Sequence, residues 1–269
     1  MKLTILCDNN TYIDRYYLGE PALSFLIEDG NDKVLFDTGY SDVFLRNAEL
    51  MGISLKDLTS VVISHGHNDH TGGLPYLIEN LDAGKLPLYA HPDTFRSKRQ
   101  GEESIGSPLS QETLAGSFDL RLSSEPVYIT PKLVFLGEIP CYFDYEKRRR
   151  IGEVFNGTEF EPDLNRDDSA LAYVGEKGLY IITGCSHSGI CNIIRHAQAV
   201  TKVENVVGVI GGFHLFDVDG RLLSTIDYFK DLRINKINPC HCVSLHARAA
   251  MINQLRIGET GVGMVITED

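Results

Sequence analysis

The chain has 269 residues and a formal net charge of −12 at pH 7, with 43% hydrophobic and 23% charged residues. These proportions are typical of a soluble globular protein with a sizeable core. The acidic balance argues against a nucleic-acid-binding groove, which depends on a basic surface. An anionic substrate would therefore have to be attracted by metal ions and a local basic patch.

The organisation of the chain predicts one domain over residues 1–269, since no linker rich in Pro, Gly or Ser divides it. Met1 to Asp8 predicts a short strand rather than a signal peptide, because its apolar run is brief and ends in an acid. No segment is long enough to span a bilayer. We therefore expect a cytoplasmic protein with reduced cysteines and no membrane or nucleic-acid partner, and the oligomeric state stays open.

The N-terminal part predicts three strands followed by a helix. The strand-like runs are Leu3 to Cys7, Ala22 to Glu28 and Lys33 to Phe36. Asp29-Gly30-Asn31-Asp32 between the second and third runs is a hairpin signal. The helix would begin after Ser41 or Asp42 and end at Gly52.

The next strand, Val61 to Ile63, is followed by four potential metal ligands within six positions: His65, His67, Asp69 and His70. Side chains repeat every second residue in an extended backbone, so His65 and His67 point the same way and can reach one ion. Asp69 and His70 are displaced onto the turn, where they suit a second ion. These side chains have no packing role at a strand end, so we predict a metal site rather than a solvated loop.

A helix is predicted directly after this motif. Thr71 is placed to be its N-cap, and Pro75 suits its first turn.

Two later segments interrupt the pattern of strands and helices. Residues 92–117 are polar and small, which predicts an irregular functional loop or lid, or else a partly mobile segment. In residues 141–163, aromatic side chains lie on both sides of the basic run Lys147 to Arg150. This second segment would either cover the site and hold a phosphate or a flat heterocycle, or present a solvated basic face.

The second half of the chain repeats the plan of the first half. The hairpin Ser169 to Val174 and Leu179 to Thr183 leads to Gly184-Cys185-Ser186-His187 and then to a helix from Ile190 to Lys202. Two such halves are expected to pack as an αββα sandwich with the site at their shared edge.

The motif from His65 to Gly73 resembles the signature of the metallo-β-lactamase fold superfamily. Three further blocks resemble the subgroup named after the archaeal 7,8-dihydropterin-6-methyl-4-(β-D-ribofuranosyl)aminobenzene 5'-phosphate synthase; they are Gly184 to Gly189, Gly211 to Leu215 and Pro239 to Cys242. The resemblance implies an α/β fold, a four-layer αββα sandwich of the metallo-β-lactamase type. It also implies two divalent metal ions, with zinc favoured and manganese, iron or magnesium as alternatives.

The resemblance also suggests roles for residues outside the first motif. His187 would be the third nitrogen ligand of the first metal, and His241 would complete the second site. Many relatives have a bridging aspartate where this chain has Cys185, which would be either a thiolate ligand or a buried packing residue. Asp168, with its neighbour Asp167, is a lesser candidate for the missing oxygen.

Roles beside metal binding are expected for Asp37, Asp69 and His214. Asp37 would orient a ligating histidine, with a turn carboxylate that caps the next helix as the alternative. Asp69 would accept a proton as well as bind a metal. His214, which follows two glycines, would be an acid-base group or a phosphate ligand, and a core histidine is the alternative.

The leading functional hypothesis is a metal-dependent hydrolase or transferase that acts on a small, anionic phosphorylated or heterocyclic substrate. The synthase reaction is the specific form that the resemblance suggests. The alternative is a non-catalytic metal-binding sensor or regulatory module with redox-active cysteines. Asp69 and an open pocket favour the enzyme, because a purely structural metal site would close its coordination.

Overall fold

The computed structural model describes residues 1–81 and 85–269. The strands are β1 (Lys2–Cys7), β2 (Ser24–Asp29), β3 (Asp32–Phe36), β4 (Ser60–Val62), β5 (Leu86–Ala90), β6 (Lys98–Gln100), β7 (Glu103–Ser104), β8 (Phe118–Leu122), β9 (Val127–Tyr128), β10 (Leu133–Phe135), β11 (Glu153–Phe155), β12 (Phe160–Pro162), β13 (Ala170–Gly175), β14 (Gly178–Thr183), β15 (Val206–Gly211), β16 (Lys236–Pro239) and β17 (Val265–Thr267). The helices are α1 (Val43–Leu50), α2 (Asn68–Thr71), α3 (Leu74–Asn80), α4 (Gln111–Ser117), α5 (Ile190–Thr201), α6 (Gly220–Asp231) and α7 (Leu245–Ile252), with a 3-10 turn at Asp144–Glu146. None of the helices in this described part is long and apolar enough to cross a membrane.

Two large sheets form the centre of the molecule. Within the described residues, seven strands form the first sheet in the order β17-β1-β2-β3-β4-β5-β8, and six form the second in the order β16-β15-β14-β13-β10-β9. The pairs β3–β4 and β4–β5 are parallel, as are β14–β15 and β15–β16. The parallel strands of each sheet therefore deliver the loops that follow them to one edge.

The apolar core is divided into layers by the alternation of side chains along each strand. Phe25 and Phe36 lie between the two sheets, whereas Leu26 and Leu35 pack against helices on the outer face of the first sheet. Helices α1, α3 and α4 cover that face, and α5, α6 and α7 cover the outer face of the second sheet. Burial on both faces explains why the centres of β2 and β14, Phe25 to Ile27 and Leu179 to Ile182, are continuously apolar. The α/β fold with four αββα layers is confirmed.

Residues 92–117 and 141–163 meet in a third, smaller sheet. Its order is β12-β11-β6-β7, and Arg99 of β6 is paired with Glu153 of β11. The prediction of an irregular segment from 92 to 117 is wrong, because this segment contains β6, β7 and α4. These two strands are too short to show a period in the sequence, and they are stabilised by pairing with a distant part of the chain.

The helix signals after the histidine motif are partly confirmed. Pro75 lies in the first turn of α3, as predicted, but the N-cap of α3 is Gly73. The prediction that Thr71 caps this helix is wrong, because Thr71 ends the short helix α2 and its hydroxyl donates to the carbonyl of His67. The motif therefore folds into its own turn of helix before α3 begins.

A buried ion triad joins the small sheet to the histidine motif. The ammonium of Lys98 donates to Asp163 at 2.7 Å and to Asp167 at 2.8 Å, and the Lys98 side chain is 1% exposed. The other oxygen of Asp167 accepts from the backbone N–H of Gly66 at 2.7 Å. Burial would raise the pKa of the Asp167 carboxyl, but the charge and hydrogen bond of Lys98 lower it to about 2. The triad therefore holds the loop between His65 and His67 in place.

Removal of the buried ammonium should be costly. We expect Lys98→Met to lower the free energy of unfolding by about 3–5 kcal/mol, because two buried carboxylates would lose their counter-charge. The matched control is Lys2→Met, which removes the exposed ion pair with Glu28 and should cost less than about 1 kcal/mol. Urea unfolding followed by circular dichroism measures both. Equal losses in the two variants would contradict this structural role for Lys98.

Candidate metal centre

Three histidines converge at the edge where the two sheets meet. His65 and His67 follow β4, and His187 follows β14. His65 Nε2 lies 3.0 Å from His67 Nδ1 and 3.1 Å from His187 Nε2, and the last two nitrogens are 3.2 Å apart. An ion about 2.0–2.1 Å from each nitrogen in a tetrahedral site would hold them about 3.3 Å apart. This first ligand group therefore fits one divalent ion.

A second group lies beside the first. The ligand atoms of Asp69, His70, Cys185 and His241 all lie within 4.8 Å of one another. His70 Nε2 is 3.2 Å from Cys185 Sγ, and Asp69 Oδ2 is 3.3 Å from His241 Nε2. Nε2 of His241 is buried and makes no hydrogen bond within the described residues. A buried lone pair of this kind is explained by a metal ligand.

Asp37 connects ligands of the two groups. Its Oδ2 accepts from Nδ1 of His70 and from the hydroxyl of Ser64, both at 2.7 Å, and its Oδ1 accepts from the N–H of Ser64. Nδ1 of His65 donates to the Ser64 oxygen at 3.0 Å. Both histidines therefore present Nε2 as a free lone pair. This geometry agrees with the hypothesis that Asp37 orients a ligand and not with the helix cap, because the N-cap of α1 is Asp42.

The last histidine is oriented by the N-terminal strand. The N–H of His241 donates to Asp8 Oδ1, and its Nδ1 donates to Asn9 Oδ1, both at 2.9 Å. His241 has a positive φ of 51°, which these two contacts stabilise. The sequence analysis did not predict the roles of Asp8 and Asn9. Their only signal is that they directly follow the apolar strand β1, and no recognisable motif accompanies them.

Burial and charge set the protonation of the first group. Burial lowers the pKa of His65 and His187 well below the ordinary value, and it lowers the pKa of His67 to about 4. Neutral imidazole is the form that binds a metal. All three nitrogens are therefore available as ligands near neutral pH.

The second group carries more charge. Burial alone would lower the pKa of His70, but the charges of Asp69 and Asp37 outweigh it and raise that pKa. Burial alone would raise the pKa of Asp69, but the charges of His70 and His241 lower it. Asp69 is therefore ionised over the whole physiological range.

The predicted site residues are thus brought together, with one exception. His65, His67, Asp69, His70, His187 and His241 all lie in the two groups. His214 packs its ring against that of His187 at 4.6 Å and against Phe216 at 4.8 Å, outside both groups. Burial and the charge of Arg221 lower the pKa of His214 to about 4, so its ring is neutral near pH 7.

The structure distinguishes between Cys185 and Asp168 as candidates for the missing bridging ligand. Cys185 is 3% exposed and lies in the site. Asp168 accepts from the N–H of Ser188 at 2.9 Å and belongs to neither group among the described residues. Asp167 is occupied by Lys98 and Gly66. Among the described residues, the two ligand groups thus contain the sulfur of Cys185 and no oxygen from this aspartate pair.

The site opens to solvent through a pocket of about 360 Å³. His67 and Asp69 lie at its floor, and its walls include Gln100 and Ile105 from the first interrupting segment and Ile151 from the second. The Asp69 side chain is 27% exposed there. A small molecule can therefore approach the side of the centre on which Asp69 lies.

The fold and the ligand pattern agree with a comparison against known families. The metallo-beta-lactamase superfamily matches residues 18–198, which is more than half of the chain. The chain belongs to this superfamily, as the histidine motif predicted.

Individual relatives extend over nearly the whole chain. The chain is 32% identical to 7,8-dihydropterin-6-methyl-4-(beta-D-ribofuranosyl)-aminobenzene-5'-phosphate synthase of Methanocaldococcus jannaschii, over 95% of this chain and 92% of that protein. It is 34% identical to an uncharacterised protein of the same organism, over 96% of this chain and 98% of that protein. A solved metal-dependent hydrolase of the beta-lactamase superfamily has a TM-score of 0.86 and 28% identity, and all of both chains is covered.

The neutral state of His67 has a measurable consequence for stability. Because its pKa is about 4 in the folded chain and about 6.5 ordinarily, the folded protein binds fewer protons than the unfolded chain between these values. The free energy of unfolding of the chelator-treated protein should therefore fall as the pH falls from 6.5 to 4. His67→Gln should reduce this fall by up to roughly 3 kcal/mol.

The control for this experiment is His246→Gln, which changes an exposed side chain of α7. Urea unfolding across the pH range measures all three proteins. If the wild type and His67→Gln lose the same free energy on acidification, His67 is not held neutral by the fold.

Proposed function

We propose that this protein is a metal-dependent hydrolase or transferase that acts on a small phosphorylated or heterocyclic anion. The observation that carries the proposal is the pair of adjacent ligand groups, each of which has one member, His67 or Asp69, that lines an open pocket. A structural metal site has a closed set of protein ligands. Here the exposed side of Asp69 leaves the centre accessible to a substrate.

The donor set fits two divalent ions, and we propose that both are zinc. His65, His67 and His187 would hold the first ion, while Asp69, His70 and His241 would hold the second. When bound, such ions polarise a phosphoryl or acyl oxygen and make hydroxide available near neutral pH. Imidazole and carboxylate ligands also suit manganese and iron, which are the alternatives.

The chain itself supplies proton transfer and positioning. The ionised Asp69 lies at the pocket floor, so it can accept the proton of an attacking water or amine. His214 is neutral near pH 7, and its pKa of about 4 makes it a hydrogen-bonding partner or weak base for a substrate beside His187.

The specific reaction is proposed from the relative that carries a name. The synthase of Methanocaldococcus jannaschii is named for a pterin and a phosphate, and the similarity to it covers 95% of this chain. A pterin is a flat heterocycle, so we propose a substrate that combines such a ring with a phosphate.

Metal removal and restoration test the proposed activity. We expect the zinc-, manganese- or iron-loaded protein to turn over a member of a panel of phosphodiesters, lactones, thioesters and pterin substrates, and chelation to abolish this turnover. Asp69→Asn should lower kcat by roughly 100-fold or more, because it removes a proton acceptor. Metal content is measured in parallel, so that loss of an ion is distinguished from loss of the base.

Full metal binding without turnover of any substrate in the panel would contradict the proposal that this protein is an enzyme. That result would instead favour the alternative of a non-catalytic sensor.

Most of the basic run is engaged within the protein. The guanidinium of Arg148 donates to the carbonyls of Asn165 and Ile139, at 2.6 and 2.8 Å. Arg150 donates to the carbonyl of Gly152 and to the carboxylate of Glu153. These contacts support a structural role for Arg148 and Arg150 rather than the substrate contact that the sequence suggested.

Arg221 is the stronger candidate to hold a substrate anion. It is 7% exposed, and its Nε and Nη2 have no hydrogen-bond partner among the described residues. Its charge acts on His214, and so does that of the exposed Arg149, which lies 3.8 Å from Asp219. The two guanidinium groups therefore concentrate positive potential beside His214 in a strongly acidic chain.

This assignment predicts a change in substrate binding. Arg221→Gln should raise KM for a phosphorylated substrate about tenfold or more at low salt, because one charge-assisted contact is worth roughly 1.5–3 kcal/mol. Metal content should not change. Arg150→Gln is the matched control and should leave KM unaltered. If Arg221→Gln lowers only the stability, Arg221 is a counter-charge for the neighbouring buried Glu146 and the anion is held elsewhere.

A further inference from the structure

Cys185 lies between the two ligand groups. Its sulfur is within 4.8 Å of the ligand atoms of His65 and His187, and equally of those of His70 and His241. Sγ of Cys185 lies 3.2 Å from Nε2 of His70.

Asp69 also connects the groups, but from the opposite environment. Its oxygen lies within 4.8 Å of the ligand atoms of His65 and His67, and its side chain is 27% exposed in the pocket. Cys185 is 3% exposed. Asp69 therefore faces the pocket, and Cys185 faces the protein interior.

We infer that Cys185, as a thiolate, bridges the two metal ions from the buried side of the site. This inference rests on the proposed binuclear centre and adds a ligand that sets its metal preference. A thiolate binds zinc at about 2.3 Å, and paired ions lie about 3.5–4 Å apart, so one sulfur can reach both. The position agrees with the resemblance seen in the sequence, where relatives have an aspartate.

The chemistry of this ligand balances simply. Without an ion bound, the sulfur of a cysteine carries a proton as a thiol. A coordinating metal deprotonates a thiol outright. When both ions bind, the S–H bond is broken, two sulfur–metal bonds form, and one proton passes to the solvent; no oxidant or reductant is needed.

Cys242 provides a control within the same part of the fold. Its Sγ lies 3.5 Å from the carbonyl oxygen of Cys185, but it belongs to neither ligand group among the described residues. The two thiols are therefore close in space, and only one of them is placed between the histidines.

Zinc X-ray absorption on the full chain, without any substrate, tests the bridge. The wild type with two zinc ions should show about one sulfur neighbour per zinc at about 2.3 Å. Cys185→Ser should lose the sulfur signal and bind one of the ions at least tenfold more weakly. Cys242→Ser should keep the signal. Cys185→Asp should bind two ions without sulfur, because its carboxylate can replace the bridge.

Several outcomes would overturn the bridge. No sulfur in the wild type would make Cys185 a packing residue, and about one sulfur for every two zinc ions would make it a ligand of one ion. A sulfur signal that persists in Cys185→Ser would assign the ligand to Cys242. Uptake of only one zinc ion by the wild type would overturn the binuclear centre as well, and so separates that failure from loss of the bridge alone.

Cobalt substitution provides a second measurement if Cys185→Ser fails to fold. The wild type loaded with cobalt(II) should show near-ultraviolet thiolate charge transfer and magnetic coupling between its ions. Cys185→Asp should lose the charge transfer and keep both ions. Charge transfer with uncoupled ions in the wild type would contradict a bridging sulfur.

Discussion

The hydrogen bonds of one buried carboxylate, Asp37, hold the arrangement on which the rest of the site depends. Asp37 is fully buried and accepts hydrogen bonds from Nδ1 of His70 and from the hydroxyl and N–H of Ser64. The Ser64 hydroxyl in turn accepts a hydrogen bond from His65, so Asp37 also orients that ring. Charge-assisted hydrogen bonds in a medium of low dielectric constant are strong and directional. Two ligands from different groups are therefore oriented before any ion arrives.

The same principle recurs around the site. Asp8 and Asn9 fix His241, and Asp167 fixes the loop at Gly66 with Lys98 as its counter-charge. Each support comes from a different strand or strand end, so the site is held by the sandwich as a whole. The acidic net charge is in part a consequence of this use of carboxylates, and it explains why cations have to be concentrated near the pocket.

The small third sheet borders the pocket beside the centre. It builds pocket walls from residues 92–117 and 141–163, while the ligands come from the ends of strands in the two large sheets. Ligand-bearing loops and pocket walls can thus vary separately, which is how one fold supports different chemistries. We propose that substrate choice in this protein depends on these walls and on Arg221, and that metal choice depends on Cys185.

The sequence by itself determined the fold and the local ligand motif. The run from Val61 to His70 predicts its geometry without distant information, because side-chain alternation after a strand is a local property of the backbone. Apolar periodicity and resemblance likewise predicted the αββα layers. The role of Asp37 was one of two alternatives, and the resemblance, rather than spacing, pointed to it.

Only the tertiary structure decided which distant groups meet. Asp8, Lys98 and Arg221 carry no local signal, since their roles depend on strands and helices that pack together from far apart in the chain. The short strand β6 pairs with the distant β11, and β7 pairs with β6, which no local period can show. The choice between Cys185 and Asp168 was likewise open in the sequence, because burial and direction, and not residue type alone, decide which side chain faces the histidines.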